Sequence, residues 1–328
     1  MRSLLNKLLA MISPSPGRGA GTASPVERTF LTAFGKHPGW ADHIADFALP
    51  TDRLSMIYKA LYTDGIRGNI DSGAWTRLSD DRKLPGFDHV FVWRFAHETI
   101  VGMIWPSSDQ VGRSEYPMIA CAQVEEFPST ERLRNVVGVL SDIRGQCTST
   151  TSADAVRNII GHGQARLRSA AGEFESGTPT EPDPLATLAA CPAMGPELRG
   201  LRFVLYQIER EMGLYRSKPG QDGAAFTKTI TARPQQFRAP ACADSQAEAA
   251  SLWIRFMLTQ VDRRTAILAL VPAGCPWIDV LVGWPGITQL FCMRASPKQI
   301  PPTTEIPYEP PAEFNQRMDQ LLAPFARS

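Results

Sequence analysis

Apolar residues fall along this chain in short blocks, some strand-like and some in helical stripes. The first, TFLTAF (29–34), has strand length and ends at a Gly-Lys pair. Thr51 or Asp52 can then cap a helix that carries Leu54, Ile57, Tyr58 and Leu61 on one side. GIRGNIDSGAW (65–75) is turn-rich and polar except at its end, which predicts a structured loop. Residues 88–95 and 99–105 are strand-like runs separated by the short turn Ala96–Glu98, and 116–124 is a third. Together they predict a hairpin extended into an antiparallel meander.

Helical spacing then takes over at Leu133, Val136, Val137, Leu140 and Ile143, and again at Val156, Ile159, Ile160 and Leu167. A Pro/Thr/Glu-rich linker is expected over about 173–184. The stripe Leu198, Leu201, Val204, Leu205, Ile208, Met212 predicts an amphipathic helix closed by Gly213. A polar loop is expected over 214–243. Ser245 and Glu248 then form a capping-box pattern ahead of Leu252, Trp253, Phe256 and Met257. AILALV (266–271), WIDVLVG (277–283) and ITQLFCM (287–293) read as strands. A Pro-rich stretch (301–311) leads to a last helix with Phe314, Met318, Leu321 and Leu322. Strands near both ends with helices between them predict an α/β fold: a central mixed or largely antiparallel sheet flanked by helices, with strands contributed from both ends of the chain. Residues 28–328 are expected to form one domain, a division near residue 175 being the alternative. Residues 1–27 are expected to be a disordered leader, because Lys7 interrupts the apolar tip and a Pro/Gly/Ser-rich tail follows.

Composition narrows the function. Apolar residues make up 43% and charged residues 20% of the chain, enough for a real core, and the net charge is only +1. Bulk charge therefore gives no reason to expect nucleic acid or an anionic membrane as partner. Between Arg264 and Arg294 the only charge is Asp279, but Pro272, Gly274, Pro276, Gly283 and Pro285 cut that run into strand-sized pieces. No stable membrane insertion is expected. The six cysteines, at 121, 147, 191, 242, 275 and 292, contain no C-x-x-C pair, which predicts buried free thiols in a reducing compartment.

Three segments could carry chemistry. In GKHPGWADH (35–43), His37, Asp42 and His43 are metal-ligand types, but H-x5-H on a loop is no defined metal spacing. Lys36 lacks the glycine pattern of a phosphate loop. A shaped turn at Pro38-Gly39, with Asp42 bonded to backbone amides, needs no ligand at all. In WPSSDQVGRSEYP (105–117), Ser107, Ser108 and Asp109 favour a tight turn, Gly112 permits an unusual backbone angle and Arg113 offers a rigid fork of donors. Arg113 can pair with Asp42 or Asp109, or bind phosphate or a partner's carboxylate. No G-x-S-x-G elbow makes Ser107 a hydrolase nucleophile. In GNIDSGAW (68–75), Asp71 and Ser72 suit an Asx turn, and Asp71 could complete an acidic cluster with Asp42 and Asp109. Trp40, Trp105 and Trp284 flank turns, as packing anchors or, if exposed, as binding hot spots.

Gly35, Lys36, Pro38 and Asp42 resemble the G-K-x-P-x-x-G-D-F opening of the TagF family of type VI secretion accessory proteins. Pro106, Ser107, Asp109, Val111, Gly112, Arg113 and Pro117 resemble that family's second signature, P-S-x-D-x-V-G-R-x-x-P. The likeness covers about residues 29–125, with a fainter echo at SLW (251–253). Ala41 and His43 stand where the family usually has glycine and phenylalanine. The resemblance implies an α/β domain and a cytoplasmic, non-catalytic role without cofactor or metal. It also implies post-translational repression of type VI secretion in connection with a forkhead-associated scaffold protein, in a circuit that includes a kinase and a phosphatase. Two other readings stand beside it: a metal-assisted hydrolase using His37, Asp42, His43 and Asp71, and loops that merely close the top of the sheet.

Overall fold

A computed structural model of the chain describes residues 29–173, 181–215 and 233–325. Seven strands pair into one sheet of order β1-β4-β3-β2-β6-β7-β5. They are β1 (Phe30–Gly35), β2 (His89–Arg94), β3 (Glu98–Trp105), β4 (Met118–Glu125), β5 (Gln235–Pro240), β6 (Ile267–Pro272) and β7 (Trp277–Val282). Every pairing is antiparallel. The halves of the chain meet at an interior pair, where β2 runs against β6 from His89↔Pro272 to Arg94↔Ile267. The expected α/β architecture, with strands from both ends, is the observed one.

Both faces of the sheet are covered. Val90, Val92, Val101, Met103, Ala120 and Ala122 pack with Leu133, Leu140, Val156 and Trp253 on one side. Those partners lie on α3 (Thr130–Thr148), α4 (Ala153–Glu173) and α7 (Gln246–Gln260). On the other side Phe91, Trp93, Ile100, Ile104, Leu268 and Leu270 pack with Leu54, Ile57, Leu61, Ile66 and Leu290. These belong to α1 (Asp52–Ile57), its π-helical continuation (Tyr58–Arg67) and α8 (Ile287–Leu290). Double burial explains why the strands read as near-continuous apolar runs rather than as alternating ones. The remaining helices are α2 (Gly68–Asp71), α5 (Pro184–Ala190), α6 (Arg199–Glu211) and α9 (Ala312–Leu322).

Local signals gave the expected caps. The Thr51 hydroxyl accepts from the Leu54 amide at 3.1 Å. Ser245 and Glu248 exchange side-chain-to-backbone bonds of 3.2 and 3.1 Å.

Three elements differ from expectation. GIRGNIDSGAW does not begin as a loop: the helix that starts at Asp52 runs on to Asp71 before the chain turns. Its glycines serve close approach, since a Cβ at Gly65 would lie 2.4 Å from Leu290 Cδ1 and one at Gly68 would lie 2.7 Å from Ile287 Cδ1. The Asn69 amide donates to the carbonyls of both Gly65 and Ile287, each at 2.9 Å, fastening the contact. ITQLFCM is helical, not a strand: α8 is followed by a 3₁₀ turn at Phe291–Arg294. A short buried apolar run does not distinguish the two, and here Gln289 accepts from the Gly286 amide at 3.1 Å to start a helix. The polar region 214–243 contains β5, whose Arg238 hides its strand character. Arg238 lies opposite Asp279 on β7 and binds it bidentately, at 2.9 and 2.8 Å. The expected leader and most of the expected 173–184 linker lie outside the described residues, as do residues 216–232. Among the described residues no helix is long and apolar enough to cross a membrane.

Gly102 on β3 sits opposite Phe91 on β2. A Cβ there would lie 2.2 Å from two Phe91 ring carbons and 2.9 Å from Cys121 Cβ. Gly102→Ala is expected to destabilise the fold by about 1–3 kcal/mol through overpacking, read as a lower urea midpoint. An unchanged midpoint would mean that the Phe91 ring is free to move aside.

Candidate functional site

The sheet brings two of the sequence segments together. Gly35 at the end of β1 and Trp105 at the end of β3 both pair with Met118, the first residue of β4. The loops 35–43 and 106–117 therefore leave the same end of the sheet side by side. Gly35 has φ +106°, and a Cβ there would lie 2.2 Å from the Pro117 carbonyl oxygen, so glycine is required twice over. The close approach lets the Lys36 amide donate to Pro117 at 3.1 Å. The Ile44 amide donates back to Gly35 at 2.8 Å, closing the first loop. In the second, the Gly112 amide donates to the Asp109 carbonyl at 3.0 Å, with Gly112 at φ +86°. The Gln110 amide donates to the Trp40 carbonyl at 2.9 Å and joins the two loops.

Asp109 is the hub. Its Oδ1 accepts from the amides of Val111 and Arg113 at 3.1 and 2.9 Å. Its Oδ2 accepts from Lys36 Nζ at 2.8 Å and Arg113 Nε at 2.6 Å. All four acceptor positions of the carboxylate are thus used. Burial alone would raise the Asp109 pKa, but the bonds from Lys36 and from the Arg113 amide and guanidinium outweigh it and hold the group well below the usual carboxylate range. Lys36 is itself only 2% exposed, and its ammonium depends on this partner.

Arg113 reaches from the hub to the rim. Its Nη2 donates to the Ala41 carbonyl at 3.0 Å and to Asp42 Oδ1 at 3.3 Å. The expected Asp42–Arg113 tie is present, as is the alternative Arg113–Asp109 pair. Asp42 is exposed, so its tie contributes little to stability. The Asp42 pKa is lowered chiefly by its hydrogen bond with His43 at 2.9 Å, against an opposing desolvation, and the charges of His43, Arg113 and Lys36 add to the lowering. The main link between the loops is Lys36–Asp109, a pairing that sequence reasoning did not make.

The two histidines serve different neighbours. His37 is buried, with Nε2–H donating to the Cys147 carbonyl at the end of α3 at 2.9 Å and Nδ1 accepting from the Gly39 amide at 3.0 Å. Both ring nitrogens are committed to backbone. Burial lowers its pKa, against the opposing effect of the Cys147 bond. His43 lies edge-on to Tyr62 and Tyr116. Asp71 accepts from the Tyr116 hydroxyl at 3.0 Å and from Arg67 at 3.2 Å. Among the described residues no group of three or more His, Cys, Asp or Glu is placed to hold a metal ion.

The other singled-out residues shape the loops. Gly39 lies against α4, where a Cβ would be 2.7 Å from the Ala153 nitrogen, and Pro38 beside it is half-buried. Pro106 is exposed above Gly86, Ser107 is half-buried and Pro117 is buried. Trp105 is a core anchor, and Trp284 packs on Trp93 with centroids 5.0 Å apart. Trp40 is half-buried, its indole donating to Asp46 at 2.6 Å. One residue that the sequence offered only as part of the second signature, with no role of its own, stands out: Val111 is 70% exposed, held at the loop tip by the Asp109 turn. An apolar residue beside a glycine at the tip of a polar loop was the available signal.

The Asp109 shift has a definite pH signature. The folded pKa lies below the unfolded value of about 4, so its stabilisation is complete above that pH and is lost as pH falls towards the folded pKa. Asp109→Asn is expected to lower Tm, with a gap from wild type that is constant from neutral pH to about pH 5 and narrows below about pH 4. A gap that ignores acid would show that the carboxylate charge contributes nothing there.

No protein-family model matches this chain, and no curated protein does. Among solved structures, the crystal structure of PA0076 from Pseudomonas aeruginosa PAO1 aligns at 15% identity with a TM-score of 0.30. The alignment covers 40% of this chain and 61% of that one, so the chain spans about three fifths of that protein's length. A likeness this loose assigns neither fold nor function.

Proposed function

We propose that this protein is a non-catalytic, protein-binding regulator and that the surface built by loops 35–43 and 106–117 is its docking face. The observation that carries the reading is Val111: a large apolar side chain, 70% exposed, on a turn fixed from beneath by a buried carboxylate. Exposed Arg113 and Asp42 flank it, and half-buried Trp40, His43 and Tyr116 lie around them. An apolar centre with a charged and aromatic surround, already rigid before contact, is the anatomy of a recognition hot spot. The same bonding argues against turnover. Asp109 has no acceptor position left for a substrate proton, and both nitrogens of His37 are taken by backbone.

Together with the two loop signatures, this reading makes the protein a cytoplasmic accessory factor of bacterial type VI secretion, of the TagF kind. It acts as a post-translational repressor, with the circuit's forkhead-associated scaffold protein as partner.

Val111→Asp is expected to weaken capture of that scaffold at least about tenfold while Tm stays within about 2 °C of wild type. Titration calorimetry and a thermal melt read the two effects. Arg113→Ala is a less clean probe, because its guanidinium also binds buried Asp109. Failure of the intact protein to bind the scaffold would remove the partner. Unchanged affinity in Val111→Asp would remove this docking face.

A further inference from the structure

A cleft of about 800 Å³ opens among α3, α5 and α7, on elements that do not contribute to the two loops. Ala190, Ala241 and Leu252 form part of an apolar wall. Four carboxylates line it, from Glu131, Glu181, Asp244 and Glu248, against two guanidiniums, from Arg134 and Arg255. Arg134 is bound to Glu248 at 2.6 Å and Arg255 to Glu181 at 3.1 Å. Glu131 and Asp244 are exposed and have no partner among the described residues. The cleft therefore keeps two uncompensated negative charges beside an apolar wall.

The chain enters the described structure next to this cleft. Thr29 is buried, its carbonyl accepts from Gln164 Nε2 at 2.9 Å, and it lines a small recess with Arg132 and Asn135 of α3. Glu131 and Arg134, on the same turns of α3, line the cleft. One helix, about 10–12 Å across, thus separates Thr29 from the cleft. The residues before Thr29 carry Arg2, Lys7, Arg18 and Arg28 against Glu27, a net +3 in a chain whose total is +1. Within residues 1–12, Leu4, Leu5, Leu8, Leu9 and Ile12 have the spacing of one helical face, with Arg2 and Lys7 off it. Residues 13–28 are rich in Gly, Ser and Pro, and sixteen residues of Gly/Ser-rich chain span about 20–24 Å on average. That length crosses α3 with slack and sets an effective concentration on the order of millimolar at the cleft. An anionic membrane is the competing occupant for a basic amphipathic segment. Two basic residues in twelve fall short of the roughly four to eight that hold a segment to anionic lipid.

We propose that the cleft among α3, α5 and α7 is an intramolecular docking site for residues 1–12 of the same chain. The segment binds as a short amphipathic helix laid in a groove, with Leu5 and Leu8 on the apolar wall and Lys7 against Glu131 or Asp244. Docking takes leucine side chains out of water and gives the two free carboxylates a cation. The site stands apart from the proposed docking face and does not rest on it.

The test treats the full chain, at low micromolar concentration, with a water-soluble carbodiimide, which joins an amine to a carboxylate in contact with it. The expected product has the mass of one chain less one water, and its peptide map joins Lys7 to Glu131 or Asp244. Lys7→Arg keeps the charge but removes the amine, and should lose that link. Leu5→Ser combined with Leu8→Ser keeps Lys7 and should cut the link at least about tenfold. Thermal melts establish that these variants keep the fold. An unchanged link in the double serine variant would reduce the contact to chance encounters of charge and overturn the site. So would links scattered over carboxylates elsewhere, or no link from Lys7 to the cleft. A mixture of isotopically heavy and light chains reads the source, since heavy–light links would assign the segment to a second copy. Loss of the link on adding phosphatidylglycerol–phosphatidylcholine vesicles, with the protein sedimenting alongside them, would assign it to a membrane surface. Either assignment would overturn the intramolecular site.

Discussion

Burial of the sheet on both faces is the constraint from which the remaining structure follows. With helices packed against each side, most strand side chains are cut off from water, so leaving a polar group within the sheet without a partner is costly, as at Trp93 Nε1 and Arg94 Nε, which lie buried without one among the described residues. Arg238 and Asp279 meet this by a bidentate pair across β5 and β7, with the remaining guanidinium bonds going to the carbonyls of Ile300 and Cys292. Burial still raises the Asp279 pKa despite its partner, which marks how costly the site is. Arg94 likewise lies in the sheet and donates to the carbonyls of Arg263 and Thr265. The loops at the strand ends are left as the places where polar side chains can face solvent.

The end of the sheet that carries loops 35–43 and 106–117 combines both situations within a few ångströms. Lys36 and Asp109 are buried like the core pair, while Asp42 and Val111 stand in solvent. Arg113 spans the two, with one nitrogen on Asp109 and another at the Asp42 rim. Desolvation makes the inner pair strong and directional, and that fixes the turn on which Val111 is displayed. A surface built this way is already ordered before a partner arrives, which lowers the entropic cost of binding.

Much of this was legible in the sequence because it is local. Thr51, Ser245 and Glu248 announce helix starts by bonds to backbone three residues away. The runs at β2, β3 and β4 announce a meander through their length and short connections. Gly35, Gly112 and Asp109 announced tight loops by residue type. What the sequence could not carry was set by partners distant along the chain. Arg238 made β5 look like loop until Asp279 neutralised it. Gly65 and Gly68 looked like turn formers until Ile287 and Leu290 packed into the space they leave. Lys36 had no evident role until the antiparallel pairing of β1 with β4, and of β4 with β3, brought it to Asp109. His37 looked like a metal ligand until the fold set it against the Cys147 carbonyl. In each case the residue type and its neighbours in sequence determined the local conformation, while only tertiary structure decided which distant group would satisfy a buried charge, hydrogen bond or gap, because desolvation penalises every such group that the fold leaves without a partner.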